Sequence, residues 1–397
     1  MNEHPKSLVI LSESLPLGGT STFALNLCEG LRDAACWNGY GASVRGLGEV
    51  GIQMRDRGIE VFTSRGDSVL HEDRIEDIYR SCSSVAARAV VAGLGSSTFD
   101  FLRYVPPGCL RIGMIQSDDE PVYELVRSYL PWLDIVAGVS REICRKMESR
   151  LGDSKVQVVH QPYGVPMPPA GTMRPPAGPM RVLYLGRVTE EQKRVGLMAK
   201  VIRRTLSAGA DISWTIAGDG PDLAALRQMF SDCENKVRFL GSVPYREVPA
   251  IIHENDVYFL CSDYEGLPLS LLEAMGAGLV PVVSNLPSGI SEVVNDENGI
   301  RVAIDDEEGF ANALTGLASD PYRREALSDR ASDQVQKSHS TAAMTRRWVS
   351  MLDSYLDPRV PAWKANCSAT APLELVGRWQ FSPALRPLRR ALKRLRR

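Results

Sequence analysis

No apolar run in this chain approaches the roughly eighteen residues that a membrane-crossing helix needs. There is no C-x-x-C either. The eight cysteines stand singly, at positions 28, 36, 82, 109, 144, 233, 261 and 367, which argues against a zinc site or a redox pair. Several lie in apolar segments and are expected to be buried free thiols in a reducing cytoplasm. Histidine is scarce, with five in 397 residues, and no Ser-His-Asp or Cys-His arrangement stands out. His4, His71, His253 and His339 are expected at the surface without partners, and His160 is expected to be structural. Hairpin signals are missing, so the strands should pair in parallel. Gly93-Leu94-Gly95 lacks the third glycine of a dinucleotide fingerprint, since position 98 is Thr. The N-terminus shows no leader pattern before its first strand. Acidic residues are absent after Glu374, where eight bases follow from Arg378 to Arg397, although the whole chain carries only −2.

What is present is a repeated alternation of apolar strand and amphipathic helix. Strands are predicted at Ser7–Ser12, Arg88–Gly93, Leu110–Ile115, Asp134–Val139 and Lys155–His160. Helices fill the gaps, among them Ser21–Leu31, with Phe23, Leu27 and Leu31 on one face, and Arg141–Ser149. Seven prolines between Pro162 and Pro179 mark a linker. A second alternation follows, with strands at Arg181–Leu185, Ile212–Ala217, Val237–Leu240, Asp256–Cys261, Leu279–Val283 and Gly299–Val302. The implied fold class is α/β: two Rossmann-like, doubly wound parallel-sheet domains facing a cleft. The domains are 1–165 and 181–340, joined by a linker over 166–180. A last amphipathic helix spans 341–357, and a basic tail runs over 358–397.

The most informative stretch runs from Asp263 to Val283. After an apolar strand, Glu265 lies in a loop, Gly266 frees the backbone, Pro268 opens a helix, and Glu273 lies in its second turn. Two carboxylates eight positions apart thus reach the edge where open α/β sheets bind ligands. Carboxylates there can accept hydrogen bonds from ribose and sugar hydroxyls while cations hold phosphates. By spacing alone, a helix cap at Glu265 and a solvated Glu273 fit equally well. Upstream, Leu185-Gly186-Arg187-Val188-Thr189-Glu190-Glu191-Gln192-Lys193-Arg194 directly follows a strand. Its Arg187 and Lys193 could pair with a diphosphate, or be plain surface bases. Gly18-Gly19 makes a strand-to-helix turn whose bare amides could approach a phosphate, and Gly218-Asp219-Gly220-Pro221 makes another. Asp118-Asp119 reads as an acidic pair at a helix N-terminus rather than a metal site.

These motifs resemble the E-x7-E and Gly-Arg…Lys-Gly patterns of retaining glycosyltransferases with the GT-B fold, most closely glycosyltransferase family 4. The resemblance implies a sugar transferase using a nucleotide-diphosphate sugar, with UDP- or GDP-sugars expected, and a saccharide or lipid-linked acceptor. It implies no cofactor and no metal. Arg187 and Lys193 would hold the diphosphate. Glu273 would take the ribose hydroxyls, and Glu265 with the Gly266 and Leu267 amides the sugar hydroxyls. Gly218 and Gly220 would lie near the base, and Gly18, Gly19 and Gln116 on the acceptor and phosphate side. Glu265, Arg187 and Lys193 are the candidate catalytic residues. The chain departs from the family twice: Arg194 replaces the glycine after the lysine, and Gln116 stands where many relatives have histidine. The last helix is expected to cross back onto the N-terminal domain. Ser288-Gly289 resembles a family turn of local role.

In the tail, Leu385, Leu388, Leu392 and Leu395 recur at helical spacing among bases. That pattern suits an anionic membrane surface, so residues 378–397 suggest a cytoplasmic protein held peripherally at the inner face of a membrane. A solvated or disordered tail and nucleic-acid binding are the rivals, and no nucleic-acid partner is expected. At the level of function, the rivals are a non-catalytic nucleotide-sugar-binding or membrane-scaffold relative and a GT-B sugar-nucleotide epimerase.

Overall fold

The computed structural model describes residues 6–35, 37–64, 70–93, 95–169, 178–233, 235–357 and 363. Residues 170–177 of the proline-rich linker and, Trp363 apart, the whole basic tail lie outside the described residues, as does the membrane-surface helix expected there. No described helix is long and apolar enough to cross a membrane.

The chain divides into two compact units. The first contains a seven-stranded sheet of β1 Lys6–Ser12, β2 Trp37–Ser43, β3 Val61–Thr63, β4 Ala89–Ala92, β5 Leu110–Ile115, β6 Ile135–Gly138 and β7 Gln157–His160, in the order β3-β2-β1-β4-β5-β6-β7. Every pairing is parallel. The second contains a six-stranded sheet of β8 Met180–Leu185, β9 Ile212–Ala217, β10 Val237–Gly241, β11 Val257–Leu260, β12 Val280–Ser284 and β13 Ile300–Val302, in the order β10-β9-β8-β11-β12-β13. It too is parallel throughout. Each sheet starts in its middle, runs to one edge, and returns to the other side of its first strand. That reversal opens a crevice at the strands' carboxyl ends, between β1 and β4 and between β8 and β11.

Central strands such as Ala89–Ala92 and Val257–Leu260 are buried at every position, because helices cover both faces of a parallel sheet. One device recurs in the two sheets. Arg111 on β5 donates from its backbone and guanidinium to Asp134, just before β6, at 2.7 to 3.0 Å. Arg181 on β8 grips Asp256, just before β11, at 2.7 to 2.9 Å. Each fork fixes the register of neighbouring strands.

Strands β2 and β3 are absent from the pattern-based reading. The segment Trp-Asn-Gly-Tyr-Gly-Ala-Ser of β2 is rich in glycine, a poor strand signal. Its glycines answer a packing demand: a Cβ at Gly39 would lie 2.8 Å from Cys28 Cα on the helix Gly19–Ala34. Two histidines also differ from expectation. His339 is 7% exposed and its Nδ1 lies 3.2 Å from the Tyr163 carbonyl, because the chain bridges there from Val165 to Ser340. His71 is paired with Asp100 at 2.8 Å. Of the described cysteines, Cys28, Cys82, Cys109, Cys144 and Cys261 are buried thiols.

From Thr345 onward, the last helix, Thr341–Tyr355, belongs to the first unit. Its buried Trp348 ring lies 5.8 Å from that of Phe23. Asp353 accepts from Lys6 Nζ at 2.7 Å and from Trp37 Nε1 at 3.2 Å.

Candidate functional site

The crevice between β8 and β11 collects most of the residues singled out by sequence. After β8 the chain turns through Gly186, Arg187 and Val188. Buried Tyr184 on β8 donates its hydroxyl to the Arg187 carbonyl at 2.5 Å. Gly186 N–H donates to Ala217 O at 3.0 Å and Val188 N–H to Asp219 O at 2.9 Å, so the turn lies flat on the loop after β9. That contact explains both glycines of the second loop. A Cβ at Gly218, whose φ is +141°, would lie 1.8 Å from Gly186 O, and one at Gly220 would lie 2.1 Å from Val188 O. Both glycines thus pack against the backbone on either side of Arg187, at Gly186 and Val188. The Arg187 side chain itself is exposed.

Lys193 ends a short helix, Glu190–Lys193, and its ammonium contacts Glu265 Oε1. The two side chains are 13% and 7% exposed. Sequence reasoning gives them separate tasks, but the fold makes them one ion pair. Glu265 lies in the loop before the helix Leu269–Gly276. Gly266 and Leu267 are buried beside it. Gly289 N–H donates to the Gly266 carbonyl at 2.7 Å, and a Cβ on Gly289 would lie 2.7 Å from Leu267 Cβ. The Ser288-Gly289 turn therefore props the Glu265 loop from below.

Glu273 lies on the same helix and is hydrogen-bonded by Tyr245, a residue that no motif pointed to. Glu273 keeps some accessible surface, yet the protein packed around its carboxyl pushes its pKa up to about 8, with the Tyr245 hydrogen bond opposing. A carboxyl that holds its proton more tightly folded than unfolded, where it titrates near 4.5, makes stability fall as pH rises between those values. The loss should be on the order of 2–4 kcal/mol across about pH 5 to 8. Melting temperature should therefore drop over this window, and Glu273→Gln should flatten the drop. Parallel curves for the two proteins would rule out a raised Glu273.

The N-terminal crevice holds the remaining candidates. Gly18 precedes the helix Gly19–Ala34 at φ +141°, with open space where a Cβ would be. Gly18 and Gly19 are exposed. Gln116, at the end of β5, is 8% exposed, and its Oε1 meets no hydrogen-bond partner among the described residues. It lines a cavity of about 20 Å³ together with Ser12, Thr20 and Gly93, room for about one water. Asp118 accepts from Tyr123 at 2.8 Å and Lys146 at 2.7 Å, and Asp119 stands at the N-cap position of the helix Glu120–Tyr129, where its backbone carbonyl accepts from Val122 and Tyr123 N–H at 3.1 and 3.3 Å.

Residues 179–320, which carry the β8–β11 crevice, match the family described as Glycosyl transferases group 1. The chain is 31% identical over 159 residues to a phosphatidyl-myo-inositol mannosyltransferase of Mycolicibacterium smegmatis, covering 39% of this chain and 40% of that one. It is 33% identical over 211 residues to the Escherichia coli O-antigen biosynthesis glycosyltransferase WbnH, covering 52% and 58%. The chain thus spans about half the length of the curated relatives it matches. A crystal structure of S. aureus TarM with fondaparinux, alpha-GlcNAc-glycerol and UDP superposes with a TM-score of 0.75 at 11% identity, covering 88% of this chain and 100% of that one. The two parallel-sheet α/β domains are those of the GT-B fold.

Proposed function

We propose that this chain is a retaining glycosyltransferase of family 4, moving a sugar from a UDP- or GDP-sugar to a saccharide or lipid-linked acceptor. The observation that carries the reading is the crevice between β8 and β11. It gathers an exposed arginine, a largely buried lysine–glutamate pair and a carboxyl whose pKa is raised by burial at one sheet reversal. The curated relatives are named for mannosyl transfer and O-antigen synthesis, and one fold neighbour was solved with UDP.

In this reading Arg187 meets the diphosphate from solvent, and Lys193 shares its ammonium between Glu265 and the phosphates. Negative charge grows on the diphosphate as the glycosidic bond breaks. Cations fixed beforehand therefore stabilise the transition state more than the bound donor. Glu265, oriented by Lys193, accepts from sugar hydroxyls beside the Gly266 and Leu267 amides. Glu273 accepts from the ribose hydroxyls, which favour its ionised form, so nucleotide binding near pH 7 releases a proton. No protein nucleophile and no metal are assigned. Gly18, Gly19 and Gln116 belong to the acceptor side, and residues 378–397 to an anionic membrane surface.

The test is a thermal-shift screen with UDP, GDP, ADP and their sugars, with and without EDTA. One nucleotide should raise the melting temperature by mass action, equally in EDTA, and Arg187→Ala should weaken its binding by about 10- to 100-fold. The same preparation should bind anionic vesicles at low salt only while residues 378–397 are present. Absence of any nucleotide shift would overturn the donor assignment. A shift abolished by EDTA would overturn metal independence, and vesicle binding unchanged by truncation would overturn the tail's role.

A further inference from the structure

The turn that carries Lys193 is fastened to the Glu265 loop along its length. Asp263 N–H donates to Gln192 O at 2.9 Å, and Gln192 Nε2 donates to Tyr264 O at 3.1 Å. The buried Cys261 thiol faces the Lys193 and Arg194 carbonyls at 3.6 and 3.5 Å. Arg194 closes the seam. Its Nη1 lies 3.0 Å from each carboxylate oxygen of Asp263, its Nη2 contacts Asp305, and its Nε is 3.7 Å from Glu190. One guanidinium thus gathers three carboxylates.

Its backbone is the second observation. Arg194 has φ +51° and ψ +51°, the left-handed region that glycine enters freely and other residues enter at a cost. A side chain at this position is worth that cost only if it does something a glycine cannot.

We propose that Arg194 is a positioning residue for the donor site, an inference that rests on the donor assignment above. By pulling Asp263 and Asp305 onto the Lys193 turn, it locks the loops after β8 and β11 together, so that Lys193 and Glu265 reach the sugar diphosphate as one rigid pair. Without it, Asp263, Asp305 and Glu190 repel one another and the seam opens. Because the cluster is part-exposed, with side-chain accessibilities of 28% for Arg194, 32% for Asp263 and 61% for Asp305, it contributes little to global stability. Its effect falls on ligand geometry.

The experiment compares Arg194→Gly, which relaxes the backbone, with Arg194→Lys and with Arg194→Gly carrying Asp263→Asn and Asp305→Asn. The probe is whichever of UDP, GDP or ADP shifts the parent, together with its sugar. Arg194→Gly should keep the parent melting temperature and weaken donor binding, with KM rising about tenfold or more. Arg194→Lys should fall between, and neutralising the two aspartates should restore part of the loss. Parent-like KM in Arg194→Gly, alongside lost nucleotide binding in Arg187→Ala, would overturn the positioning role alone. Parent-like binding in both variants would overturn the donor assignment and this inference with it.

Discussion

Replacing Glu265 by Ala should both remove sugar transfer and destabilise the second unit by roughly 3–5 kcal/mol. The cause is Lys193. Its ammonium is 13% exposed and paired with a carboxylate that is 7% exposed. Deleting the carboxylate leaves a buried charge without its partner, which costs more than the pair itself contributes. The same logic predicts a rescue. In Glu265→Ala the lysine is free to take a phosphate as its only counter-charge, so a bound nucleotide diphosphate should restore more stability to the variant than it adds to the parent. The double variant Lys193→Met with Glu265→Leu should recover the melting temperature without recovering transfer. Chemical denaturation with and without nucleotide checks all three. A Glu265→Ala protein as stable as the parent would mean that Lys193 finds water, and that the pair is not the core of the site.

The second large effect belongs to a residue with no side chain. At Gly218, a methyl group would overlap the Gly186 carbonyl, 1.8 Å away, at a φ of +141° that alanine avoids. The obstacle is backbone and cannot rotate aside. Gly218→Ala must push the Gly186–Val188 turn outward, and Arg187 with it. We expect a destabilisation of about 3 kcal/mol or more. A guanidinium displaced by about 1 Å should cost on the order of 100-fold in kcat/KM. Gly18→Ala is the matched control. Gly18 shares the φ of +141° but has open space around its missing Cβ, so in stability it should pay the conformational cost alone. Equal losses of stability in the two variants would show that steric contact with the Arg187 turn is not the reason for Gly218.

These two residues illustrate what could be read from sequence. Glu265 was legible because its spacing to Glu273, Pro268 and the flanking strand is written in consecutive residues. The α/β class, the parallel sheets and the strands with continuous apolar runs, such as Leu110–Ile115 and Ile212–Ala217, were legible for the same reason. Periodicity is a local property. Strand β2 was not legible, because its glycines answer tertiary packing, Gly39 against Cys28 on the preceding helix and Gly41 against Met54 and Val61, and leave no apolar run to read. Arg194 gave a partial signal, a charged residue in the family's glycine position, but its partners Asp263 and Asp305 stand 69 and 111 positions away.

The sequence by itself determined which chemical groups arrive at the ends of which strands: Arg187 after β8, Glu265 after β11, Glu273 eight positions further. It did so because strand, loop and helix are decided within about ten residues. Only the tertiary structure decided what those groups do to one another. It paired Lys193 with Glu265, surrounded Arg194 with three acids, seated Gly218 and Gly220 against the Arg187 turn, and raised the pKa of Glu273 by packing protein around it. Burial and charge pairing are set by neighbours in space, and β8 meets β11 only after some seventy intervening residues have folded to one side of it.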